Sequence, residues 1–311
     1  MRVLQGAGYL PASGLKARHK VFDQLGLIGC GLMGGSFALA LKRAGLVRRV
    51  VGFSPSEATR QRALSMGVLD AALPSVAGAA KGCDLLLLAV PVAATESSLL
   101  ALQGAMESGA LLMDVGSTKR DVVQAAERAL GTKLPQFVPA HPIAGKEVAG
   151  VAHADVDLYQ GCQVILTPIE ATDAAQTARA EALWRALGCR VRCMSALAHD
   201  SAFAAVSHLP HMLAFAAINA LTAQAQGAEF LSLAGPGFRD FSRIAASDPA
   251  VWRDILLANQ DQLLLQSAHL RDSLQAFEAA LQTGNAAALQ ALIAKASATR
   301  AAWPHSNHET D

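Results

Sequence analysis

The segment Gly29-Cys-Gly31-Leu32-Met33-Gly34 constrains this chain more than any other. It follows a short apolar run, Leu25-Gly-Leu-Ile, and precedes an Ala/Leu-rich stretch that closes at Gly45. Strand, glycine turn and helix is the simplest reading of that order. Each glycine then has its own task. Gly29 permits the tight turn, Gly31 lets a pyrophosphate approach the backbone, and Gly34 lets the helix pack close to the strand. The unpaired N–H groups at the helix start would face the phosphates. Leu32 and Met33 sit in the same turn and belong to the expected cofactor-contact set.

The alternation continues downstream. Arg49-Val-Val-Gly-Phe53 reads as a second strand, and 57–66 as a helix that Gly67 ends. Asp84-Leu-Leu-Leu-Leu-Ala-Val90 is the continuous apolar run of a strand covered on both faces. Ala110-Leu-Leu-Met-Asp114 and Gln136-Phe-Val-Pro-Ala140 follow the same pattern. Strands separated by helices imply βαβ units and a mainly parallel sheet. Beyond His141 the pattern loosens into strands at 163–167 and 190–193 with a helix at 174–187 between them. From Ser195 no strand pattern remains, and helical segments are expected at 196–226, 249–282 and 285–302, interrupted by Leu233-Ala-Gly-Pro-Gly237. The expected fold is an α/β, Rossmann-like dinucleotide-binding domain over 23–194 and an all-α domain over 195–303. Residues 1–22 read as a loose extension or a start codon placed too early, and 304–311 as a frayed tail.

Composition narrows the function classes. With 26 Lys+Arg against 25 Asp+Glu, a net charge of +1 and 5% aromatics, the chain lacks the basic surface and stacking platforms of a nucleic-acid binder. At 52% hydrophobic and 16% charged it is not a disordered chain. No stretch of about 18 uninterrupted apolar residues suggests a membrane span. The five cysteines are odd in number and form no C-x-x-C pair, which fits a reducing cytoplasm. Cys189 and Cys193 read as ordinary strand residues, and no metal is expected.

Several residues are candidates for chemistry. In a dinucleotide fold, an acidic residue at the end of the second strand binds the ribose 2′-OH of NAD. Here Ser54 stands there, in Ser54-Pro-Ser56-Glu57-Ala-Thr-Arg60. The missing carboxylate, the hydroxyls of Ser54 and Ser56 and the nearby Arg60 favour NADP, and Glu57 keeps NAD open. Val90 and Pro91, at the end of the next strand, complete the cofactor-binding set. Residues beyond a strand's C-terminal end open on the ligand crevice. That places Ser117 of Asp114-Val-Gly-Ser-Thr-Lys119, and His141 of His-Pro-Ile-Ala-Gly-Lys-Glu147, at the crevice. Asp114 reads equally well as a loop cap. Histidine is the natural proton acceptor near neutral pH. In the helical half stand Ser207-His208-Leu-Pro-His211 and a segment running from Phe238 through Asp240 and Arg243 to Trp252. Arg243 suits a carboxylate clamp or, alternatively, an ion pair with Asp240 or Asp248.

Together, GCGLMGGS, DVGSTK, HPIAGKE, SHLPH and FRDFSRIAASDPAVW, in that order, resemble the prephenate/arogenate dehydrogenase family of tyrosine biosynthesis. The resemblance runs from about Leu25 to about Leu265. It implies a helical domain that dimerises and an active site in the cleft between the domains. The implied reaction is oxidative decarboxylation of prephenate to 4-hydroxyphenylpyruvate, or of arogenate to tyrosine, with hydride transfer to NADP or NAD. By the same resemblance His141 deprotonates the ring hydroxyl and Ser117 assists it. His211 contacts substrate and Arg243 binds a carboxylate. Ser207, His208, Glu147, Asp240 and Trp252 lie around the pocket. Competing readings are a β-hydroxyacid dehydrogenase or imine reductase on the same plan, and a sensor that binds cofactor without turnover.

Overall fold

The computed structural model describes residues 21–303. The expected frayed tail and most of the expected N-terminal extension lie outside the described residues. Phe22, assigned to that extension, is instead the first residue of a strand and is buried.

The first sheet has six strands, all parallel, in the order β3-β2-β1-β4-β5-β6. They are β1 (Phe22–Ile28), β2 (Val47–Phe53), β3 (Ala71–Ala72), β4 (Leu85–Leu88), β5 (Leu111–Asp114) and β6 (Phe137–Val138). The strand order reverses direction between β1 and β4, the switch point at which open α/β sheets bind ligands. All four residues of β4 are buried, because apolar layers cover both faces. Helices α1 (Leu32–Ala44), α2 (Glu57–Ser65), α3 (Val76–Ala80), α4 (Thr95–Gln103) and α5 (Arg120–Ala129) form the crossovers. Gly45 ends α1 in the left-handed conformation, φ 66°.

The strand expected at 136–140 is divided at Pro139. Phe137 and Val138 pair with β5, whereas β7 (Ala140–Ile143) leaves for a second sheet. Proline has no N–H to extend the ladder. The second sheet pairs β7 antiparallel with β8 (Gln163–Leu166), and β8 parallel with β9 (Arg190–Cys193). Helix α6 (Ala174–Ala186) connects β8 to β9. His141 therefore lies inside β7, opposite Ile165, and not in a loop beyond a strand.

The remainder is helical: α7 (Ala196–Phe203), α8 (Leu209–Thr222), α9 (Gly227–Ser232), α10 (Pro236–Ser242), α11 (Pro249–Ala258), α12 (Gln260–Gln282) and α13 (Ala286–Ala302). A π-helical turn, Ala204–His208, joins α7 to α8, and His208 and His211 both face Trp252. Residues 196–222 make one continuous helical run whose length and mean hydropathy of 1.4 would suffice to cross a bilayer. The run is not an uninterrupted apolar stretch, since His199, Asp200, His208 and His211 lie within it. His199, Asp200 and His208 are buried inside the protein.

Candidate active site

The cofactor side is built from backbone. Gly29 has φ 98°, and a Cβ there would lie 2.2 Å from the Ala89 carbonyl oxygen. A Cβ on Gly34 would lie 2.3 Å from the Gly29 carbonyl oxygen. At Gly31 a Cβ would meet nothing within 4 Å, so the space over the turn is open. Gly31 is also the N-cap of α1, with no side chain capping it and no acidic residue in the first turn. The helix end thus presents uncapped N–H groups and no repelling carboxylate to an anion. A cavity of about 470 Å³ runs from this turn to Ser54, Pro55 and Thr59 and is walled by Val90 and Pro91. These features fit a dinucleotide.

Ser54 is buried at the end of that cavity. Ser56 is the N-cap of α2, where its hydroxyl accepts the Thr59 N–H at 3.2 Å. Arg60 donates to the carbonyl oxygens of Ser54 at 2.5 Å and Pro55 at 3.2 Å, which places its guanidinium over the end of the second strand.

A second cavity, about 450 Å³, adjoins the first and brings the two halves of the protein together. From the first half come Gly31, Leu32, Met33, Ser117 and Glu147, and from α11 comes Trp252. His211 stacks on Trp252, with ring centroids 3.5 Å apart. The His211 Nδ1–H donates to the Ser207 carbonyl at 2.8 Å, which leaves Nε2 free. Arg243 pairs with Glu147, and not with Asp240 or Asp248, either of which the sequence had offered. Asp248 instead caps α11 through the N–H groups of Ala250 and Val251. Asp240 is exposed on α10 and does not line either cavity.

A buried line of hydrogen bonds runs from β7 into α7, and none of its three residues lines either cavity. His141 Nδ1 is 2.8 Å from His199 Nε2, and His199 Nδ1 is 2.7 Å from Asp200 Oδ1. A carboxylate only accepts, so His199 Nδ1 carries the proton and its Nε2 is the acceptor. His141 Nδ1–H then donates to it, leaving His141 Nε2 with a free lone pair. Phe203 stacks on His199 and packs against His141, walling the line with apolar surface. Asp200 is held in turn by the N–H groups of Lys119 and Arg120, both at 2.9 Å. Burial, and then the neighbouring His199, Lys119 and His208, none of which favours a second proton there, hold the His141 imidazole well below its ordinary titration range. Burial likewise lowers His199, and it pushes His208 down to about 4. Asn259, fully buried, bridges the Asp200 carbonyl at 2.8 Å and His208 Nδ1 at 3.1 Å. His208 lines neither cavity and stands edge-on to Trp252, which lines the second.

His199, Asp200, Lys119 and Asn259 were not singled out by the sequence reading. One signal was present: adjacent His199 and Asp200 inside an otherwise apolar helical segment, where an ionisable pair is costly unless bonded.

A glycine cradle at the switch point of a parallel sheet, beside a buried imidazole line roofed by helices, defines a dinucleotide-dependent oxidoreductase. Comparison with known proteins narrows the class. Residues 37–193 match the model for the prephenate dehydrogenase nucleotide-binding domain, and 195–295 the one for the prephenate dehydrogenase dimerization domain. The chain is 37% identical to prephenate dehydrogenase from Bacillus subtilis over 79% of its length and 67% of that protein's. It is 34% identical to cyclohexadienyl dehydrogenase from Zymomonas mobilis, over 78% and 83% of the two chains. The crystal structure of prephenate dehydrogenase from A. aeolicus, in complex with hydroxyphenyl propionate and NAD+, superposes with a TM-score of 0.84. Identity to it is 32%, over 89% of this chain and 97% of that one. This chain belongs to the prephenate dehydrogenase family. A 3-hydroxyisobutyrate dehydrogenase from Salmonella typhimurium, at TM-score 0.53 and 18% identity, shares the fold alone.

Proposed function

We propose that this enzyme oxidatively decarboxylates prephenate to 4-hydroxyphenylpyruvate. The observation that carries the reading is the buried line His141–His199–Asp200, which fixes a neutral imidazole with one free nitrogen where the first half of the protein meets α7. His141 Nε2 takes the proton of the ring hydroxyl. His199 and Asp200 hold the ring in the accepting tautomer and stabilise the imidazolium that forms. Ser117 donates to the same hydroxyl oxygen and orients it. The nicotinamide supplies the hydride acceptor when bound. Once the hydroxyl-bearing carbon is a carbonyl, loss of CO2 from the opposite carbon sends an electron pair through the ring to that oxygen. Protonation there completes the phenol. Arg243, whose guanidinium is released from Glu147, binds a substrate carboxylate, and Trp252 with His211 forms the flat wall against the ring.

The second proposal concerns the cofactor. NADP is preferred, because the second strand ends in Ser54 and not in a carboxylate, and Arg60 is held over that end. Guanidinium suits a 2′-phosphate. The helical half forms a homodimer, supported by its match to the dimerization model and by exposed Leu264, Leu265, Leu274 and Leu281 along α12. The enzyme acts in the cytoplasm.

Initial rates of reduced-cofactor formation test both readings, with prephenate or arogenate supplied with NADP or NAD. Turnover of prephenate with a higher kcat/KM for NADP is expected. Turnover of arogenate alone would replace the substrate, a preference for NAD would overturn the reading of Ser54 and Arg60, and no turnover in any combination would overturn the activity.

A further inference from the structure

Asp114, which reads equally well as a loop cap from the sequence, and Lys119 have no part in the site described above except through the Lys119 N–H. Both side chains are buried, and they form an ion pair. Asp114 Oδ1 accepts the Ala140 N–H at 2.9 Å, and Lys119 Nζ donates to the Ala140 carbonyl at 2.9 Å. One pair of charges therefore grips both main-chain groups of the residue preceding His141. Asp114 Oδ2 also accepts the Gly116 N–H at 2.8 Å, which closes the loop on itself. A Cβ on Gly116 would lie 2.9 Å from that oxygen. The same loop reaches the far end of the imidazole line, since the N–H groups of Lys119 and Arg120 hold the Asp200 carboxylate.

A buried ion pair returns little net stability, because desolvation offsets the attraction. Apolar residues of similar volume would hold the sheets together as well. They would not grip a main-chain N–H and C=O at once, nor put a cation beside an imidazole. We propose that the Asp114–Lys119 pair is the positioning device of this site, fixing His141 in line with His199 across the seam between the two sheets. The inference rests on His141 as the base proposed above.

The placement has an electrostatic consequence. His141 is faced by Lys119 from the loop before α5, by His199 and Phe203 from α7, and by His208 from the π-helical turn. The carboxylates of Asp114 and Asp200 stand behind these groups. Lys119 and the two histidines all disfavour a proton on His141, so the ring meets a hydroxyl in its neutral, accepting form.

The test replaces the pair by uncharged groups of similar size, Asp114→Asn with Lys119→Met, and reads two quantities. The first is the titration of the His141 ring by NMR in the cofactor-free protein. The second is the pH profile of kcat. Of the two, the Lys119 cation is the one that disfavours a proton on His141, and loss of the grip also frees the ring from its line, so the His141 midpoint should rise. The acid limb of kcat should rise with it, while kcat itself falls about tenfold or more and the KM for cofactor stays within about twofold. A merely structural pair would lower the yield of folded protein and leave the titration of the folded fraction unchanged, and that result overturns the proposal. Lys119→Met alone should move the titration in the same direction. If neither variant folds, hydrogen exchange in the wild-type protein decides. Protection of the Ala140 amide equal to that of the β4 amides supports the grip, and exchange at the rate of an exposed loop overturns it. If the wild-type enzyme turns over neither prephenate nor arogenate, the proposed activity fails, and the titration still decides the positioning.

Discussion

The two walls of the cleft are made in different ways. The cofactor wall is a run of six consecutive residues, Gly29 to Gly34, in which missing side chains create the binding surface. The hydroxyl-facing wall is assembled from side chains on three distant segments: the stretch 114–120 between β5 and α5, β7 and the middle of α7. A surface made of absences tolerates no additions, whereas a line of hydrogen bonds tolerates no deletions. Damage to the first should therefore appear in cofactor affinity and folding, and damage to the second in turnover and its pH dependence.

The sharpest separation is expected at His141. His141→Ala should lower kcat by about 10²–10⁴, the range for a lost general base, while cofactor affinity measured by fluorescence quenching stays close to wild type. A variant that loses both together would show that the walls act as one unit. Arg243 should behave differently. Losing a hydrogen bond to a charged group costs about 1.5–3 kcal/mol, so Arg243→Ala should raise the KM for prephenate about tenfold or more with a smaller change in kcat. An unchanged KM would make the Arg243–Glu147 pair structural.

On the other wall, Gly34→Ala forces a Cβ against the Gly29 carbonyl. Overpacking of this kind costs roughly 1–3 kcal/mol. Thermal unfolding should show that loss together with weaker cofactor binding, and wild-type values for both would mean the turn can relax.

Acid should attack the walls unequally. His208 is held at about 4 when folded and titrates near its ordinary value of about 6.5 when unfolded. Its contribution to stability is complete above the unfolded value and is lost as pH falls from there toward 4. His141, His199 and His211 are lowered too and act in the same direction. Denaturant midpoints should fall between about pH 7 and about pH 5, and a His208→Gln variant should show a shallower fall. An equally steep fall in that variant would place the acid sensitivity elsewhere. The smallest effect is expected at Arg120, which joins the first half to Asp261 of α12 at 2.5 Å in a partly exposed pair. Arg120→Ala should cost about 0.2–1 kcal/mol in a urea titration, and a larger loss would make this contact a structural tie between the halves.

The cofactor wall was legible because its signal is local. Three glycines at fixed spacing, between an apolar run and a helix-forming stretch, dictate a backbone path with no help from the rest of the chain. The alternation of strands and helices was legible for the same reason, and so was the loss of strand character after Ser195. The place of His141 was misread by one element. Nothing in Gln136-Phe-Val-Pro-Ala140 announces that the chain changes sheets at Pro139, since the same residues would extend a single strand almost as well. Of the acids near Arg243 in sequence, neither Asp240 nor Asp248 is its partner; that partner is Glu147, 96 residues away in the chain.

The sequence by itself determined a dinucleotide-type sheet, its glycine turn, a helical second half and a set of polar residues fit for acid–base chemistry. Periodicity and backbone conformation are set by neighbours along the chain, so they survive being read one segment at a time. Only the tertiary structure decided which nitrogen of His141 is free, that His199 and Asp200 stand behind it, and that Asp114 and Lys119 hold it in place. A histidine's tautomer and a buried charge's role depend on the partners within about 3 Å, and those partners come from parts of the chain that only folding brings together.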